Sequence, residues 1–338
     1  MGIFRTSSFY YAFIMTLICS ALGTFFGGLL YLTIIGALVI SLILGMFFQI
    51  HQPVIKKAKS GIGFVSNKFL RLGIILLGFK LNLIDLANAG IKTILVAVIV
   101  VSGVVILTYN IARKLGVNKE LAILTASGTG ICGAAAVMGV SPQIKVHPDA
   151  EAQKKDDEVL AVAIVAILGT IFTLIEIAIK PMLNMTSSQF GVMAGGSLHE
   201  IAHAIATGGA GGSISLSTAI ITKLSRVLML APAALIIGIW YQRTESNGNT
   251  TKQKLPIPWF MGGFILASII GTFIPMPVGI LNGLVKLAYL VLGMAMAALG
   301  MSVNFKVFMT SGKKAVLAAS IVSVVLLGFM IVVSKMFF

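Results

Sequence analysis

Nine stretches of this 338-residue chain are apolar over about the length that a helix needs to cross a membrane. A spanning helix takes roughly 20 mostly apolar residues, and 8–27, 29–50, 62–84, 91–112, 157–180, 214–240, 258–274, 280–302 and 314–337 all read that way. Two further segments, 120–142 and 190–210, are apolar but interrupted by glycine. Hydrocarbon offers no partner to a bare peptide group, so such segments must close their hydrogen bonds within helices. The expectation is an all-α polytopic membrane protein with about 11 membrane segments, broken helices among them. A chain that is 58% hydrophobic and 10% charged fits the bilayer as its solvent.

The net charge of +15 would suit a nucleic-acid surface only if the basic residues gathered on one soluble face. They are instead scattered between the apolar runs, so no nucleic-acid partner is expected. With Arg5 inside, the loops holding Lys56, Lys57 and Lys59, Arg113, Lys114 and Lys119, Arg243, Lys252 and Lys254, and Lys306, Lys313 and Lys314 all fall on one face. That is the positive-inside pattern of a multi-pass membrane protein. The loop 143–158, which mixes Lys145, Lys154 and Lys155 with five acids, lands outside. It moves inside if 120–142 and 190–210 are re-entrant hairpins rather than crossings, and both topologies stay open. The first run, 8–27, resembles a secretory leader but is followed at once by more membrane, so it reads as a retained, extra N-terminal helix within 1–28. Cys19 and Cys132 both lie in apolar segments and supply neither a disulfide framework nor a four-ligand metal site.

A weak internal repeat runs through the chain. At an offset of 222 residues, Gly78, Asn82, Gly90, Lys92 and Leu95 match Gly300, Asn304, Gly312, Lys314 and Leu317. A second pairing sets 29–180 against 190–338. Either one relates its halves by an odd number of crossings, which inverts them, and inverted repeats with broken helices are the architecture of secondary transporters.

The segment 124–140, LTASGTGICGAAAVMGV, places Gly128, Gly130 and Gly133 within six residues of an otherwise helical run. Each costs roughly 1 kcal/mol of helix propensity against alanine. Close packing by small residues is one reason to keep them. The other is an unwound stretch in which freed amides, with the hydroxyls of Ser127 and Thr129 and with Cys132 nearby, meet a substrate at the positive end of a half-helix. No lysine follows as a phosphate loop would require.

Residues 199–203, His-Glu-Ile-Ala-His, match H-E-x-x-H, the zinc-binding helix of metallopeptidases. Such a site needs a third ligand, yet downstream of His203 the chain has no histidine and a single acid, Glu245. No metal, cofactor or catalytic residue is therefore expected, and an intramembrane zinc peptidase is kept as the alternative of a different class. An ionisable pair inside a membrane segment marks function by default. Glycine pairs at 195–196 and 208–209 put His199 and Glu200, with Ser197, at the ends of a short interrupted helix.

Four motifs in order, NKFLRLGIILLGFKLNL at 67–83, SGTGICGAAAV at 127–137, GGSLHEIAHAIATGGAGG at 195–212 and TKLSRVLMLAP at 222–232, resemble the sulfate exporter family of YeiH-type bacterial membrane proteins. The similarity covers nearly the whole chain. It implies kinship with bile-acid-symporter-like and cation/proton-antiporter-like transporters, two inverted five-helix units, crossing broken helices and elevator motion. Many members carry Gln where this chain has His203, which weakens a zinc role and leaves His199 as the better candidate.

The residues and the resemblance together lead to an exporter of a small inorganic or organic anion, such as sulfate, a sulfonate or a carboxylate, coupled to H⁺ or Na⁺. Arg71, Lys223 and Arg226 lie in or beside spans and would pair with the anion; Lys223 and Arg226, three apart, share one helical face. Glu200 or Glu176 would carry the coupling proton and His199 would titrate beside them. The glycine-rich segment near 130 should meet either 190–210 or 280–302, the latter bringing Gly300, Ser302 and Asn304 into the site. A cation/proton antiporter is the alternative within transport. The expected partners are the lipid bilayer and, for an elevator, a second copy in a homodimer.

Overall fold

The computed structural model describes residues 6–28, 37–80, 82–84, 90–245, 259–302 and 312–338. Among these residues the ordered elements are all helical, and seven helices are long and apolar enough to cross a membrane. The chain falls into two compact units, Met1–Asp85 with Phe260–Val303, and Leu86–Trp259 with Asn304–Phe338. Each is made of two separate stretches of the sequence.

In the first unit, α1 (Ser7–Gly27) is capped by the Thr6 hydroxyl and packs on α2 (Ala37–Phe48) and α3 (Gln52–Phe64). A π turn at Val65–Phe69 leads from α3 into α4 (Leu70–Leu77). The helix α13 (Trp259–Phe273) joins this unit from Phe260, and α14 (Val278–Gly300) lies at its centre, in contact with α1, α2 and α4. Small residues allow that approach: a Cβ at Gly45 would run into the Ala297 backbone, and one at Gly300 into the Leu42 carbonyl. Ser20 Oγ donates to the Leu290 carbonyl at 2.7 Å, so α1 and α14 are also joined by a bond that hydrocarbon cannot replace.

The second unit holds α5 (Gly90–Lys114), α6 (Lys119–Gly130), α7 (Ala134–Val140), α8 (Glu151–Leu183), α9 (Ser187–Ser197), α10 (Ile201–Ala210), α11 (Ser213–Leu228), α12 (Leu230–Glu245) and, from the end of the chain, α15 (Gly312–Phe337). Asn118 caps α6 by accepting from the Leu121 amide, and Thr186 with Gln189 forms a capping box on α9. The α9–α11 seam is built on Gly191 and Gly195, four residues apart, which lie against the Ser215 and Ala219 carbonyls, also four apart.

Two pairs in this unit are single apolar segments broken in the middle. The first is α6–α7, interrupted at 131–133, and the second is α9–α10, interrupted at 198–200. The expected run 214–240 also divides, with a turn at Met229 between α11 and α12. Part of the expected run 29–50 lies outside the described residues, and the run 258–274 gives a shorter apolar helix, Gly262–Phe273.

Candidate functional site

The two interruptions meet. The Ala134 amide, first of α7, donates to Glu200 Oε1 at 3.4 Å, so the segment near 130 and the segment near 200 share a contact inside one unit. Gly133 makes this approach feasible. Its φ of 70° is on the left-handed side that glycine adopts freely, and a Cβ there would overlap the Glu200 side chain.

A broken helix leaves bare carbonyls where its first half ends. Here α6 and α9 both end in the interior, and two cations from one face of α11 serve both. Arg226 Nη2 donates to Gly130 O at 2.7 Å and Thr129 O at 3.1 Å on the α6 side. Its Nη1 donates to Gly196 O at 2.6 Å and Leu198 O at 3.0 Å on the α9 side. Lys223 Nζ donates to Leu198 O as well, and to Ile131 O at 3.4 Å. Both cations thus donate to the Leu198 carbonyl. Cations belong at the negative ends of helices, and the Glu200 carboxylate belongs at the start of α7, so each charge faces the dipole that favours it. Arg226 is 1% exposed and Lys223 fully buried, which makes the arrangement interior rather than interfacial.

Around this crossing lie the other polar groups of the unit. Glu176 on α8 is fully buried. Ser197 Oγ stands 2.6 Å from Glu176 Oε1 and 2.6 Å from the Met193 carbonyl, and its one hydrogen serves one of them at a time. His199 Nε2 lies 3.0 Å from Ser323 Oγ on α15, and His203 Nε2 lies 3.4 Å from Thr170 Oγ1 on α8. Among the described residues, Glu176 Oε2, Glu200 Oε2, His199 Nδ1, Thr129 Oγ1 and Arg226 Nε are buried with no hydrogen-bond partner. Cys132 is buried within the first break.

The zinc-peptidase pattern is not built as a helix face. Glu200 is the extended N-cap of α10, with φ −117° and ψ 158°, so His199 precedes the helix and His203 is on it. The two imidazoles turn to different helices, α15 and α8. Among the described residues no three His, Cys, Asp or Glu side chains are grouped to hold a metal ion.

The remaining expected residues distribute as follows. Ser127, Gly128, Thr129 and Gly130 are still helical, Ser127 Oγ donating to the Ile123 carbonyl, so the unwound stretch narrows to 131–133. Gly128 and Gly130 serve close packing: a Cβ at the first would meet Val137 and Val165, and at the second Val105. Arg71 belongs to the first unit, where its guanidinium lies over the Phe260 ring at 5.9 Å. Gly300 and Ser302 also belong to that unit, the Gly300 carbonyl accepting from Gln49 Nε2 at 2.7 Å and Ser302 Oγ donating to Ala298 O at 3.1 Å. Asn304 lies outside the described residues. Sequence reasoning missed Ser323 and Thr170, hydroxyls in apolar helices that no motif marks.

With seven helices among the described residues long and apolar enough to cross a bilayer, and two further apolar segments broken in the middle, the chain is a multi-pass membrane protein. It belongs to the family described as Conserved hypothetical protein 698, whose model matches residues 11–319. Relatives named UPF0324 membrane protein are 60% identical in Lactobacillus johnsonii, over 100% of both chains, and 51% identical in Bifidobacterium longum, over 96% of this chain and 94% of that one. The Bacillus cereus relative is 42% identical over 94% of this chain and 92% of its own. Among solved structures, the sodium proton antiporter MjNhaP1 from Methanocaldococcus jannaschii at pH 8 aligns with 95% of this chain and 100% of its own. The identity is 11% and the TM-score 0.30, a likeness too small to carry an argument.

Proposed function

We propose that the chain is a secondary transporter of the cell membrane, rather than an enzyme, and that it carries a small oxyanion such as sulfate or an organic sulfonate or carboxylate together with protons. The observation that supports this most is the pinned crossing of α6–α7 and α9–α10, with its two cations, two carboxylates and two imidazoles buried in apolar helices. Charge at such a depth is costly and is kept where ions or protons pass.

The charges of Lys223 and Arg226 balance those of Glu176 and Glu200 when both acids are ionised. Each proton that the acids take up leaves one cation uncompensated, and an anion restores the balance. Proton and anion therefore bind together. A proton on Glu176 also supplies the second hydrogen that the Ser197 contacts call for. The cluster lies wholly within one compact unit, as an elevator requires of a site that travels with its substrate. A homodimer would supply the stationary frame. Each inverted repeat in this proposal, 29–180 and 190–338, contributes one of the broken helices.

One observation favours a second reading, the cation/proton antiporter. Lys223 and Arg226 already donate to five different carbonyls, and Glu176 and Glu200 each keep one oxygen without a partner. Those oxygens suit a cation, which would compete with protons rather than bind with them.

Thermal unfolding of the detergent-purified protein separates the two. Sodium sulfate and a short alkyl sulfonate should stabilise it, by about 2.7 kcal/mol at 100 times Kd, and more strongly on the acid side of neutrality. Stabilisation by sodium chloride over choline chloride that grows with alkalinity would instead establish the antiporter. About one zinc per chain, lost in both His199→Ala and His203→Ala, would return the peptidase.

A further inference from the structure

Ser323 is 124 residues from His199 in sequence, yet its Oγ stands 3.0 Å from the His199 Nε2. A serine hydroxyl has one hydrogen, and the Ala319 carbonyl, which can only accept, is the nearer claimant on it at 2.7 Å. Toward the imidazole Ser323 therefore only accepts. With the serine hydrogen on that carbonyl, Nε2 carries the ring hydrogen, and Nδ1, buried and without a partner among the described residues, presents a bare lone pair. The Phe172 ring packs edge-on against the imidazole, with centroids 6.2 Å apart. His203 is set in the same way: Thr170 Oγ1 gives its hydrogen to Ala166 O at 3.1 Å and faces Nε2 at 3.4 Å.

We propose that Ser323 is a positioning residue that holds His199 in its Nε2–H tautomer, so that Nδ1 is a base that takes part, beside Glu176 and Glu200, in the proton uptake as the site loads. This rests on the transport reading above. Proton uptake at Nδ1 gives an imidazolium whose Nε2–H is still donated to Ser323, and release restores the starting tautomer, so the ring has no need to turn in either step. The charged and titratable groups of the cluster are Glu200 beside it in sequence, His203 on α10, Glu176 on α8, Lys223 and Arg226 on α11 and Cys132 in the first break, and of these Lys223, Arg226 and His203 act on its charge directly. Through Ser323, the last helix of the chain fixes the chemistry of a motif on α9–α10.

The test is ¹⁵N-histidine NMR of the protein in bilayers, read beside anion uptake into proteoliposomes. The resonance pair that disappears in His199→Gln should show a protonated Nε2 and a bare Nδ1. Ser323→Ala should give mixed tautomers and transport about tenfold slower at unchanged KM, as when a positioned base is in its working form only part of the time. Ser323→Thr, which also donates to its i−4 carbonyl and still accepts, should restore both readouts. A protonated Nδ1 in the wild type, or an unaltered tautomer in Ser323→Ala, overturns the proposal. A wild type that shows the Nε2–H signature but moves no anion overturns the transport reading and leaves the tautomer standing.

Discussion

Gly133 is where a single residue decides most about the site. Its φ of 70° reverses the chain between α6 and α7, and the space a Cβ would take is filled by Glu200. Gly133→Ala should therefore cost about 1–3 kcal/mol in backbone strain alone, and it should also push Glu200 off the Ala134 amide. The expected result is a lower unfolding temperature together with loss of anion-induced stabilisation. An alanine variant that keeps both would mean that the glycine is replaceable and that the contact with Glu200 does not matter. The other two glycines of the motif behave differently, because they are helical and packed against valines. The sequence pattern counted all three alike, since a glycine in a positive-φ turn and a glycine under a valine look the same as letters.

At the scale of elements, the question is what holds two broken helices together. Arg226 alone donates to four carbonyls, two at the end of α6 and two at the end of α9 and its break. Removing one partner from a buried charged network costs about 3–5 kcal/mol, so Arg226→Met should lower stability by that order, measured by denaturation in detergent. Arg226→Lys should recover only part of it, because an ammonium lacks the planar fork that reaches both helix ends. Full stability in Arg226→Met would show that the ends are satisfied in some other way.

The existence of both breaks was legible in the sequence, because glycines and ionisable residues are conspicuous in apolar runs. So was the pairing of Lys223 with Arg226 on one face, but not their partners. Which carbonyls a broken helix leaves bare depends on where unwinding starts, and that is set by packing. For the same reason Ser323 was invisible: a serine among alanines and valines gives no sign of what it touches.

For the whole molecule, the surface decides the setting and the interior decides the work. Ile106, Ile236 and Val324 are 59%, 66% and 62% exposed, an apolar surface that lipid covers and water would not tolerate. Within the second unit, that same chain buries Lys223, Arg226, Glu176, Glu200 and two histidines around one crossing. The nine apolar runs foretold the first fact, and the motifs at 127–133 and 195–203 foretold part of the second. What they did not foretell is that the cations serve the backbone first. On the function proposed above, this crossing couples an anion to a proton. Its most direct test is purified protein in liposomes loaded with a pH-sensitive dye, with sulfate or a short alkyl sulfonate imposed as the only gradient. The wild type should move protons in the direction of the anion, and Glu200→Gln, folded and equally reconstituted, should lose about 100-fold or more of that flux, the low end of what a positioned proton-transfer group contributes. Proton movement that follows a sodium gradient instead, or coupled flux undiminished in Glu200→Gln, would contradict it.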